Sequence, residues 1–218
     1  MKVLDKTAFE KVMKDISPIP RLSDRSYTLY ASNILLHDDM ACSTDGKIMV
    51  YRNLSGIIEN TGRAAISIDG NNAGRVDENV SQELDKFNWE RIIFKDKPKI
   101  TGTYDFGKHT YQYLTDLGDH AVVIFDGKEV QFLCDDECHT EATYGDLTDN
   151  DILHGSSEYP SRFILKMNYW KKLMKLSKVM TLEEYDGCSN RGLTVGNYKV
   201  VVSPLPEDFL PERASYSW

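Results

Sequence analysis

Residues 161–182 read SRFILKMNYWKKLMKLSKVMTL, and the rest of the chain is best understood from this stretch outward. The full chain has 218 residues and a formal net charge of -8, yet this segment holds Arg162, Lys166, Lys171, Lys172, Lys175 and Lys178 and no Asp or Glu. Taking its six cations away from the total of -8 leaves the remainder at -14. Phe163, Ile164 and Leu165 form a short apolar run, Asn168 is a favourable helix N-cap, and Tyr169 to Lys178 follows the helical period. At about 100° per residue, Lys171, Lys175 and Lys178 share a stripe with Lys172 beside it, and Tyr169, Leu173 and Leu176 lie opposite. The pattern predicts a helix with one core face and one row of ammonium groups. A lysine row is commonly just a solvated face, but on an acidic protein it can also hold a polyanion locally.

Upstream, Met1 to Leu4 reads as a strand and Asp5 as the cap of a helix in which Phe9, Val12, Met13 and Ile16 share a face. Lys6, Lys11 and Lys14 fall off that face, partly offset by Glu10 and Asp15, and Pro18 and Pro20 end the helix. Tyr27 to Leu36 and Met40 to Ser43 read as strands around His37-Asp38-Asp39, and Asp45-Gly46 is a hairpin turn leading into Lys47 to Tyr51. Between Asn53 and Lys99 the expected order is a strand over Ala64 to Ile68, a turn over Asp69 to Gly74, a helix over Val76 to Phe87 and a strand over Arg91 to Phe94. Ile100 to Tyr104 is a further strand. Asp105 then caps a helix over Phe106 to Leu117 that carries Lys108, and a hairpin turns at Asp126-Gly127. After the basic helix, Val179 to Tyr185, Gly192 to Val195 and Tyr198 to Val202 are strands, and PLPEDFLPERASYSW is an extended tail.

The composition is that of an ordinary globular protein, 41% hydrophobic and 28% charged. No apolar run approaches a membrane span, and MKVLDKTAFEKV lacks a signal region, so the chain is expected to be cytoplasmic and away from membranes. Four cysteines without a framework spacing are expected as reduced thiols.

One unit is written repeatedly: a short strand, an Asx cap, an amphipathic helix of about ten residues, then strands joined by Asp-Gly turns. It starts at MKVL-Asp5, ITGTY-Asp105 and FILKM-Asn168, with a degraded copy over Ala64 to Phe94. Duplicated βαβββ units imply an α+β fold with antiparallel sheets and the helices gathered on one face. The expected division is one domain over 1–99, a second over 100–205 and a tail over 206–218.

Here the sequence resembles the DNA polymerase sliding clamps of the phage and bacterial type, the ring-shaped processivity factors. The resemblance rests on AFEKVMKDI followed by NILLHDDMACSTDGKIMVY, and on FILKMNYWKKLMKL, VMTLEEY and RGLTVGNYKVVVSPL. It covers about Met1 to Leu54 and Ile100 to Leu205. It implies a protein without enzymatic activity, cofactor or metal that encircles duplex DNA and tethers a replicative polymerase. A bacterial clamp subunit has three domains; a chain with two implies a homo-oligomer, a trimer, to complete six. Clamp-binding peptides of partner proteins would occupy a surface pocket. The phosphate contacts would come from Lys171, Lys172, Lys175 and Lys178, assisted by Lys11, Lys14 and Lys108. Lysine suits sliding because it is a flexible point charge without a rigid fork.

Other chemistries compete. Tyr169-Trp170 beside Lys171-Lys172 could stack on single-stranded bases, although aromatics at helical spacing are more often core. Cys134, Cys138 and His139 suggest a metal, but no second ligand pair sits at a zinc spacing. Asp38, Asp39, Asp135, Asp136 and Glu137 could gather Mg²⁺ for hydrolysis, without a Lys or His at a helpful spacing. No phosphate loop, dinucleotide fingerprint or nucleophile elbow occurs.

Overall fold

The computed structural model describes residues 2–19, 33–59, 62–69, 72–76, 97–98, 100–105, 122–126, 129–133, 163–185 and 190–203. The chain divides into two compact units, Met1–Lys95 with Asn197–Val202 and Asp96–Gly196 with Ser203–Trp218. Unit 1 contains β1 (Lys2–Val3), α1 (Lys6–Ile16), β2 (Asn33–His37), β3 (Met40–Thr44), β4 (Ile48–Asn53), β5 (Ile58–Glu59), β6 (Arg63–Asp69) and β7 (Asn72–Val76). Unit 2 contains β8 (Ile100–Asp105), β9 (Val122–Asp126), β10 (Glu129–Leu133), β11 (Phe163–Lys166), α2 (Met167–Leu176), β12 (Val179–Glu184) and β13 (Arg191–Val195). The last strand, β14 (Tyr198–Val202), returns to unit 1. Among the described residues the architecture is α+β: antiparallel sheets with two helices.

In unit 1 the strand order is β7-β6-β2-β3-β4-β14. Every neighbouring pair in it is antiparallel, with registers such as Leu35↔Cys42, Ser43↔Val50 and Val50↔Val200. Buried residues run continuously along Asn33–Leu36 of β2 and Ala41–Thr44 of β3. Strands covered on both faces lose the apolar/polar alternation of a one-sided sheet, which is why NILL and MACST read as unbroken runs. The β3–β4 turn is built from its own side chains: Asp45 Oδ1 accepts from the backbone N–H of Lys47 at 2.8 Å and of Ile48 at 2.9 Å. Thr44 Oγ1 donates to the Ile48 carbonyl at 2.8 Å, and Gly46 takes φ +87°, a conformation that suits glycine.

At the start of α1, Asp5 Oδ1 accepts from the Ala8 N–H at 2.9 Å, one of the donors a helix start leaves unsatisfied. Val12, Met13 and Ile16 are buried, and α1 lies against β4 and β7. Phe9, expected on the same face, is only half-buried.

Unit 2 contains a sheet segment ordered β13-β12-β8 and a second sheet ordered β10-β9-β11. The strands on either side of the expected Asp126-Gly127 turn pair antiparallel, with Asp126 opposite Glu129. Thr103 and Thr181, opposite each other on β8 and β12, are joined through their hydroxyls at 3.0 Å.

Several expectations are corrected. Asn168 does not cap the basic helix: Lys166 occupies the N-cap, in extended conformation and without a side-chain cap bond, because α2 starts directly off β11 and lysine has no acceptor to offer. The helix ends at Leu176 and not at Lys178, since Ser177 is already extended at φ -160° and ψ 152°. The turn expected over Asp69 to Gly74 is tighter, because Asp69 pairs with Asn72 and Ala73 to Val76 continue as β7. Val76 is therefore in a strand and does not open a helix. The pairing of β5 with β1 was not expected; Lys2 lies opposite Glu59 and Val3 opposite Ile58. The remaining readings over 77–96, residues 27–32 of the strand expected over Tyr27 to Leu36, the helix over 106–117 with Lys108, the turn residue 127, and the tail from Pro204 lie outside the described residues.

Gly196 joins β13 to β14 with φ +58°, and a Cβ there would sit 3.1 Å from Ser177 Cβ. Left-handed backbone costs a residue with a Cβ about 1–2 kcal/mol. Gly196→Ala is expected to lose about that much stability, read as a lower urea midpoint with an unchanged slope.

Candidate nucleic-acid interface

α2 separates its two chemistries by face. Met167, Tyr169, Trp170, Leu173 and Met174 are buried, and the helix lies against β9, β11 and β13. Lys175 is exposed, while Lys171 and Lys172 are half-buried. Long lysine stems can cover apolar surface and still keep the ammonium in water. No acidic residue occupies the first turn, and Lys175 lies in the last, where a cation is favoured by the helix dipole. Lys175 has no ion pair among the described residues.

Lys178 is displaced from the helical stripe. Ser177 Oγ accepts from the Val179 N–H at 3.1 Å, carrying the chain from the helix end into β12. Lys178 sits in the bend between them, half-buried, and burial pulls its ammonium below the ordinary lysine value. Leu176, expected in the core face, is half-buried.

Trp170 is 0% exposed and Tyr169 7%. Stacking on bases requires an open aromatic face; both rings belong to the core, as their helical spacing favoured, and the alternative of a Tyr169-Trp170 stacking platform has no exposed ring to use. The helical period explains it, since Trp170 lies between Met167 and Met174 at spacings of three and four.

In unit 1, Lys11 and Lys14 are exposed on α1. Lys6 lies 3.7 Å from Glu10 and Lys11 2.6 Å from Asp15, while Lys14 has no ion pair among the described residues. The Lys11–Asp15 pair continues into the sheet. The Tyr198 hydroxyl donates to the same Asp15 Oδ2 at 2.6 Å, and Arg52 Nη1 donates to that hydroxyl at 3.5 Å. The Arg52 guanidinium lies 5.4 Å from the Tyr198 ring centroid, within cation–π range. Burial, reinforced by the bond to Asp15, raises the Tyr198 phenol above its ordinary value. The offset of Lys11 by Asp15 was readable at spacing i, i+4; the share of Tyr198 and Arg52 was not. Lys108 lies outside the described residues.

The acidic turn at Asp38-Asp39 is occupied by local contacts. Asp38 takes φ +51°, and His37 Nδ1 is 3.3 Å from its carboxylate. Asp39 Oδ2 accepts from the Ser55 hydroxyl and from Asn53 Nδ2, and the Ser55 bond is the main cause holding its carboxyl below the ordinary value. Among the described residues no three His, Cys, Asp or Glu side chains are placed to hold a metal. Asp135, Asp136, Glu137, Cys134, Cys138 and His139 lie outside them. No helix among the described residues is long and apolar enough to cross a membrane.

No protein-family model matches the sequence, and no curated protein matches it. Solved structures do. The DNA polymerase III beta subunit of Borrelia burgdorferi aligns with 12% identity and TM-score 0.52, covering 91% of this chain and 61% of that one. The beta subunit from Streptococcus pyogenes gives 11% and 0.56, covering 93% and 65%. The Helicobacter pylori beta clamp, solved with a DNA ligase peptide, gives 10% and 0.54, covering 94% and 65%. The chain thus spans 61–65% of the length of these subunits. At such identities the likeness concerns architecture alone: over nine-tenths of its residues, this chain has the fold of the DNA polymerase sliding clamps.

Proposed function

We propose that the chain is the subunit of a ring that encloses duplex DNA and tethers a replicative polymerase to it in the cytoplasm. The single observation that carries this reading is the acid-free lysine face of α2 on a chain of net charge -8. A protein this acidic repels nonspecific nucleic acid, so an open surface with three or four lysines would bind duplex weakly. A closed ring retains DNA topologically and needs only mobile, register-free phosphate contacts. The clamp fold supplies an architecture for such a ring.

In this reading the two clamp-like domains, 1–99 and 100–205 followed by the tail 206–218, assemble as a trimer to give six. Lys171, Lys172, Lys175 and Lys178 are the main phosphate contacts, and Lys14 and Lys108 assist, whereas Lys11 is paired with Asp15. The role is tethering and not catalysis. Partner proteins dock through short peptides, as the Helicobacter pylori clamp binds a peptide of DNA ligase.

Light scattering on a sizing column over a range of concentrations tests the subunit arrangement. The expected result is a discrete species of three chain masses that is retained on nicked circular DNA and slides off linear DNA. A monomer at every concentration would overturn the ring.

A further inference from the structure

Lys11 and Lys14, two lysines of α1, have different surroundings. Lys14 has no ion pair among the described residues, whereas the Lys11 ammonium lies 2.6 Å from Asp15 Oδ2. An ordinary i, i+4 surface pair is loose, because both side chains move and water screens them. Here the carboxylate is held from the other side. Tyr198, 3% exposed on the last strand of the unit 1 sheet, donates to the same oxygen at 2.6 Å. Arg52 of β4 braces that hydroxyl and lies over the ring. A side chain anchored in the sheet thus fixes Asp15 beside Lys11.

We propose that Asp15, held by Tyr198, is a built-in counterion that keeps Lys11 out of the phosphate-contacting set and so limits the grip of unit 1 on duplex DNA. The inference rests on the clamp reading of the lysine faces and refines it. A phosphate that approaches Lys11 must displace a fixed carboxylate or lie against it, and both oppose binding. A lysine already neutralised by the protein also releases no DNA counterion of its own, so it adds little to the salt dependence. A clamp that slides has a use for such a limit, since each strong contact adds to the cost of moving along the duplex.

The test is binding of the intact protein to a short fluorescent duplex between 50 and 200 mM salt. One added phosphate contact steepens the log–log salt slope by about 0.9. Asp15→Asn is therefore expected to bind more tightly, with its advantage over the parent growing roughly 3.5-fold from 200 to 50 mM salt. Lys11→Gln in the parent should leave the slope nearly unchanged, and added to Asp15→Asn it should return the slope to that of the parent. Tyr198→Phe keeps the carboxylate but loosens it, and should move the slope less than Asp15→Asn.

The proposal is overturned if Asp15→Asn leaves the slope unchanged, or if its gain persists without Lys11, which would make it a general charge effect. It is overturned equally if Lys11→Gln alone removes a full contact from the parent, an outcome that decides the matter even where Asp15→Asn fails to fold. Lys175→Gln separates this inference from the reading beneath it. A slope lowered by Lys175→Gln with no response to Asp15→Asn removes only the counterion; a slope that ignores Lys175 as well removes the DNA-facing role of the helices.

Discussion

Replacing Lys171, Lys172 and Lys175 together by Glu is expected to abolish retention on nicked circular DNA while the protein stays folded. The three substitutions turn the α2 face from three positive charges to three negative ones. Losing three phosphate contacts alone removes about 2.7 from the salt slope, and the new carboxylates then repel the backbone. The fold should tolerate the change, because Lys175 is exposed and Lys171 and Lys172 are half-buried. Glu and Lys also have similar helix propensities. Glu at 175 opposes the helix dipole near the C-terminus, at a cost of about 0.3–1 kcal/mol. Retention on circular DNA and far-UV dichroism are the paired measurements. Loss of the helical signal would make the lysines structural, and undiminished retention would place the DNA contacts elsewhere.

Trp170→Ala is expected to lower stability by about 3–5 kcal/mol, the range for emptying a fully buried large aromatic site. Trp170 is 0% exposed and shares its buried face with Met167 and Met174. A loss of this size is a large fraction of a typical domain's total stability. Chemical denaturation followed by dichroism measures it. Oligonucleotides added to the parent protein should leave Trp170 fluorescence unchanged, because no base can reach the ring. A variant of parent-like stability, or a parent whose fluorescence is quenched by short single strands, would restore the stacking role that the burial contradicts.

The parts of the fold that were legible in the sequence depend on neighbours a few residues apart. Asp5 caps α1 because a carboxylate three positions before Ala8 reaches its N–H. Asp45-Gly46 turns β3 into β4 because the same aspartate satisfies the two following N–H groups and glycine tolerates positive φ. The helical period announced the buried Val12, Met13, Ile16 and Leu173. Where local signals conflicted, the reading erred. Asn168 is the better N-cap by propensity, but β11 leads directly into the helix and moves the start to Met167. The Gly/Asn-rich run after Ile68 suggested a long turn, whereas strand pairing extends to Asp69↔Asn72.

By itself the sequence determined the strand, helix and hairpin pattern around α1, the amphipathic helix that follows β11 and the segregation of lysine onto one helix face, because these are short-range patterns of polarity and backbone preference. Only the tertiary structure decided which distant pieces meet: that β14 closes against β4, that Gly196 must yield space to Ser177, and that Tyr198 reaches Asp15 across 183 residues of chain. The physical reason is that a lysine's charge is a property of its residue type, but the charge it presents to a partner depends on which carboxylate the fold holds beside it.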